Sequence, residues 1–93
     1  MDYSTDLLKK IEEKAKEMMT PSEISFLLDI DETILVDDIN SIGNPARRAF
    51  FKGMASTAND IRKGIRDLAD AGSPFSIAEC QRLITRQLAE TKF

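Results

Sequence analysis

The longest periodic stretch in this chain runs from Asn44 to Gly72, NPARRAFFKGMASTANDIRKGIRDLADAG, and any fold must accommodate it. Asn44 is a helix-capping residue and Pro45 suits the first helical position, so the spacing predicts a helix starting there. Gly72 takes the left-handed conformation that closes a helix. At 100° per residue, Phe50, Met54, Thr57, Ala58, Ile61, Ile65 and Leu68 fall on one side, with Gly53 and Gly64 at its edge. Arg48, Lys52, Asn59, Arg62, Lys63 and Arg66 fall nearly opposite. Such a helix spans roughly 40 Å, long for a chain of 93 residues. One side needs cover from protein; the other offers positive charge.

The net charge of −3 hides a strong segregation. Residues 1–20 balance at −1, residues 21–43 at −6 with no basic group, residues 44–72 at +3 and residues 73–93 at +1. Overall acidity therefore does not exclude nucleic acid, because binding responds to local charge. The length suits one domain and is short for most catalytic α/β folds. A single cysteine, Cys80, forbids an intrachain disulfide and fits a reducing compartment. Its apolar neighbours at helical spacing mark it as a buried structural thiol. The absence of histidine removes the usual acid–base group near neutral pH and a common zinc ligand. No apolar run approaches membrane length and no secretory leader is evident, so the expected location is cytoplasmic. No metal site and no cofactor are expected.

In order along the chain, Ser4 caps a first helix whose apolar stripe is Leu7, Leu8, Ile11, Ala15, Met18 and Met19, with a mixed-charge face opposite. Thr20-Pro21-Ser22-Glu23 combines an N-cap threonine, a proline at the first position and a capping-box glutamate. A short helix follows through Ile24, Phe26, Leu27 and Leu28. Asp29-Ile30-Asp31 makes a tight turn, and Asp31 caps a third helix reaching about Asn40. After Gly72, Ser73-Pro74 starts a last helix at once, with Ile77, Cys80, Gln81, Ile84 and Leu88 along one face; residues 91–93 fray. The expected fold is all-α: an N-terminal helix plus helix-turn-helix unit (1–43), then a long-helix antiparallel hairpin (44–93), within a single domain.

Residues 20–39 support two stories. In one, Ile24, Leu28, Ile30 and Leu35 fill the apolar positions of a helix-turn-helix, with small Ser25 at the close approach. Asp29 then stands where glycine is commonest and Asp38 where an apolar residue is usual. The third helix also carries Asp31, Glu32, Asp37 and Asp38 without one cation, which opposes phosphate contact. In the other, FLLDIDETILV resembles the first motif of haloacid-dehalogenase-like phosphatases. That resemblance implies Asp29 as nucleophile and magnesium ligand, Asp31 as general acid–base and Thr33 as a loop-stabilising residue. Such an enzyme needs a parallel sheet, a later lysine and a further acidic pair; the chain beyond Ile42 reads as helix. The capping box starts a helix where the catalytic strand would begin. The chain is expected not to be an enzyme.

The succession of a helix, a helix-turn-helix, a long helix bearing AFFKGMASTANDIRKGIRDLADAGSP and a final helix resembles the small terminase subunits of tailed phages and prophages. The resemblance covers Thr20 to about Leu88. It rests on Phe51-Lys52-Gly53, Ile61-Arg62-Lys63 and Ala71-Gly72-Ser73-Pro74. It implies DNA recognition, a helical hairpin assembling into a ring, and a large motor subunit as partner. From the residues, the expected DNA contacts are Arg48, Lys52, Arg62, Lys63 and Arg66. The expected self-association surface is Phe50, Met54, Ile61, Ile65 and Leu68, because one partner helix leaves apolar surface uncovered. The alternative is an acidic protein–protein interaction module that does not bind DNA.

Overall fold

The computed structural model describes residues 1–90, apart from the side chain of Leu88; the expectations for Leu88 and for 91–93 lie outside the described residues. Five helices follow one another: α1 Thr5–Lys16, α2 Pro21–Leu27, α3 Glu32–Ile39, α4 Pro45–Asp70 and α5 Pro74–Glu90. No strand occurs among the described residues, so the protein is all-α. No helix among them is long and apolar enough to cross a membrane.

The helix starts are set by side chains that accept from orphan backbone N–H groups. Ser4 accepts from Leu7, Asp31 from Ile34 and Asn44 from Ala46. At α2 the capping box is complete: Thr20 Oγ1 accepts from Glu23 N at 3.2 Å, and Glu23 accepts from Thr20 N at 2.8 Å. The ends of α1, α2 and α4 are followed by left-handed residues. Gly72, at φ 95°, closes α4 with the paired bonds Gly72 N to Ala69 O and Ser73 N to Leu68 O, a Schellman motif. Met18, at φ 68°, ends α1 the same way and is thereby turned out to solvent, although its spacing had put it on the apolar stripe.

The chain forms two compact units, Met1–Ala58 and one beginning at Asn59. The division falls inside α4 and not after residue 43, because the first half of α4 packs into the N-terminal core. That core joins Ile11 and Ala15 of α1, Ile24 of α2, Ile30, Leu35 and Ile39, and Ala46, Ala49 and Phe50 of α4. Burying a side chain such as Ile11, Ile24 or Leu35 stabilises the fold by about 1.5–3 kcal/mol each. Gly53 brings α4 against α1: a Cβ there would lie 2.1 Å from the Glu12 carbonyl oxygen and 3.0 Å from Ala15 Cβ. One turn on, the Thr57 hydroxyl donates to the Lys16 carbonyl, satisfying an orphan acceptor at the end of α1.

The second unit differs. Among its described residues Ser76 alone is buried, while Ile61, Leu68, Phe75, Ile77 and Ile84 are exposed.

Candidate assembly and nucleic-acid surfaces

The helix-turn-helix expectation is met in its interior. Ile24, Ser25 and Leu35 are fully buried, Ile30 is nearly so, and Leu28 is half-buried. Asp29 has φ 56°, the left-handed conformation for which glycine is commonest at this position. A short polar side chain tolerates that region better than a branched one. Asp38 is the other departure from the apolar pattern, and its partner accounts for it. The Tyr3 hydroxyl donates to Asp38 Oδ2 at 2.6 Å, while neighbouring Ile39 fills the core. Burial, followed by the hydrogen bond to Asp38 and its negative charge, pushes the Tyr3 phenol above its ordinary pKa.

The phosphatase-like motif has no strand to carry it. Residues up to Leu27 are helical, Asp29 is an exposed turn residue, and Asp31 caps α3 at 3.1 Å from Ile34 N. Thr33 is exposed on α3.

The expected DNA-contacting cations are all exposed and divide between the two units. Arg48 and Lys52 lie in the first, where Lys52 is 3.8 Å from Glu12. Arg62, Lys63 and Arg66 lie in the second. Arg47, unnoticed as a site residue in the sequence, is held by structure: its guanidinium donates to the Ile39 carbonyl at 3.0 Å and sits 4.7 Å over the Phe51 ring. The four-residue spacing of Arg47 and Phe51 on a helix was the available signal. On α3, Glu32 and Asp37 are exposed.

The expected self-association residues also divide. Phe50 belongs to the N-terminal core, about 8% exposed, and packs edge-on to Phe51 with ring centres 5.5 Å apart. It is therefore withdrawn from any intermolecular surface: the start of α4 is covered by the chain's own first three helices. Met54, Ile61 and Leu68 are exposed and Ile65 is half-buried. Within the second unit a groove of about 650 Å³ is walled by Arg62 and Arg66 of α4 and by Ile77, Cys80, Ile84 and Arg86 of α5. Arg62 and Arg66 thus border an apolar groove instead of a wholly solvated face. Cys80, expected to be buried, is half-buried on that wall.

Comparison with family models, with curated proteins and with solved structures returned no match.

Proposed function

We propose that this chain is a non-catalytic, cytoplasmic assembly protein acting on DNA, in the manner of the small terminase subunits it resembles. In this reading α4 and α5 form an antiparallel hairpin that self-associates, and cations of α4 lie against phosphates. The acidic α3 is a structural partner of α2 and not a reader of bases. A large motor subunit is the further partner that the resemblance implies.

The observation that carries the reading is the exposure of Ile61, Leu68, Phe75, Ile77 and Ile84 in a unit whose only buried described residue is a serine. Apolar surface of this kind marks a surface for another protein chain. The exposed Arg48, Lys52, Arg62, Lys63 and Arg66 add a charge pattern suited to a phosphate backbone. A second reading rests on the opposite charge. Exposed Glu32 and Asp37, with Phe26 and Leu27 also exposed, suit a basic protein surface and need no DNA.

A salt titration of duplex binding tests the DNA component. Each phosphate neutralised steepens the dependence of log affinity on log salt by about 0.9, so Arg48→Gln with Lys63→Gln should flatten the slope by up to about 1.8. No duplex binding at low salt, or an unchanged slope in the double variant, would overturn that component and leave the interaction-module reading.

A further inference from the structure

We infer that copies of this chain join head to tail, the acidic helix-turn-helix of one copy seated in the arginine-bordered groove of the second unit of the next. The inference rests on the self-association part of the function proposed above and specifies its surfaces.

The receiving surface is the groove between residues of α4 and α5. Arg62, Arg66 and Arg86 stand on its walls, with Ile77, Cys80 and Ile84 between them. Two carboxylates, Asp70 and Glu90, also line it, leaving the walls net positive. Arg82 is engaged by Glu79 at 2.9 Å, whereas Arg62, Arg66 and Arg86 are in no ion pair among the described residues. A groove that pairs apolar walls with unengaged guanidinium groups fits a ligand that is itself apolar and anionic, since arginine binds carboxylates through two parallel N–H donors.

This chain carries a surface of that composition. Residues 21–43 hold six acidic groups and no basic one. Of these, Glu23, Asp29, Asp31, Glu32 and Asp37 are exposed. Beside them, Phe26 is 73% exposed, Leu27 53% and Ile34 43%. Ile34 and Asp37 are three residues apart on α3 and share a face, so an apolar and an anionic group point the same way. Burying Ile34 and Leu27 supplies the apolar contact; Glu32 and Asp37 supply the carboxylates.

Each copy thus owns one acidic head and one basic groove. Two unlike surfaces make a heterologous contact, which repeats until a ring closes or a filament grows. The alternative, a two-fold contact of Ile61 and Leu68 with their own counterparts, would use like surfaces and would be indifferent to charge. Seating Glu32 and Asp37 on Arg62 and Arg66 leaves Arg48, Lys52 and Lys63 for phosphate.

A charge exchange separates these possibilities, read by sedimentation without DNA and after circular dichroism has verified each fold. The groove variant is Arg62→Glu with Arg66→Glu; the head variant is Glu32→Arg with Asp37→Arg. All four positions are exposed. Each variant alone should lose assembly, with association weakened at least about tenfold. An equimolar mixture should recover it, because the acidic groove of one then faces the basic head of the other and the unaltered pair still match. Should a reversal unfold the chain, the glutamine versions at the same positions serve instead, with wild-type assembly expected to weaken as salt shortens the screening length from about 10 Å at 0.1 M to about 3 Å at 1 M. Wild-type chains that assemble, with variants or high salt leaving the mass unchanged, would defeat the head-to-tail contact while sparing self-association. A mixture that stays monomeric would also defeat it. A wild-type chain that is monomeric would end both.

Discussion

The two units of this small protein are built from similar residues and reach different states of burial. In Met1–Ala58, Ile11, Ile24 and Leu35 are fully enclosed and every buried apolar residue belongs to one cluster. From Asn59 onward, Ile61, Leu68, Ile77 and Ile84, at equally regular helical spacing, remain open. The difference lies in how many directions cover arrives from. Residues of α1, α2, α3 and the start of α4 all contribute side chains to one interior. The second unit has parts of two helices only, and one helix covers a single stripe of another. Periodicity therefore states that a face is apolar, not what encloses it.

The largest effect should come from the enclosed unit. Leu35→Ala removes a fully buried side chain and should destabilise the fold by about 2–5 kcal/mol, measured by urea unfolding. A loss below about 1 kcal/mol would contradict a packed core at that site. The equivalent truncation Leu68→Ala, at an exposed position, should leave the unfolding of a monomeric chain nearly unchanged and act on assembly instead.

Two glycines of α4 sharpen the same contrast. Gly53→Ala places a Cβ against the backbone of α1 and should cost about 1–3 kcal/mol. Around Gly64 no atom beyond the helix's own neighbouring backbone lies within 4 Å of an added Cβ, so Gly64→Ala should raise stability by up to about 1 kcal/mol through helix propensity. Thermal melts of both variants, with equal shifts of the same sign, would show that the two halves of the helix have similar surroundings.

The smallest effect concerns Tyr3, ahead of α1. Tyr3→Phe removes a partly buried hydrogen bond to Asp38 and should cost about 1 kcal/mol. Because the folded state holds the Tyr3 phenol protonated above its ordinary pKa, the folded chain retains a proton that the unfolded chain releases. This contribution is complete below about pH 10 and declines as pH rises above it. Circular dichroism across the alkaline range should show a shallower loss of stability in Tyr3→Phe than in the wild type.

Local chemistry made the helices readable. Caps at Ser4, Thr20, Asp31 and Asn44, and the stop at Gly72, are determined by residues within a few positions of one another, and the structure places all of them as their types imply. The buried pattern Ile24, Ser25, Ile30 and Leu35 was readable for the same reason. Tyr3 and Asp38, 35 positions apart, left no mark in any local pattern, so Asp38 stands out in the sequence only as a departure from the apolar pattern. Phe50 shared a helical face with Ile61 and Leu68, yet Phe50 joins the buried cluster of the first unit while Ile61 and Leu68 are exposed. The groove was hidden because Arg62 and Arg66 on its walls come from the side of α4 that the apolar stripe assigns to solvent. For the site as a whole, residue types were readable, while their division between enclosed and open units depended on tertiary contacts.

In the proposed assembly the second unit completes its burial with another copy of the chain. Sedimentation equilibrium of the wild type without DNA measures this most directly, at concentrations from micromolar to submillimolar. The expected mass rises with concentration to a multiple of 10.4 kDa. A single species of 10.4 kDa throughout that range would contradict it.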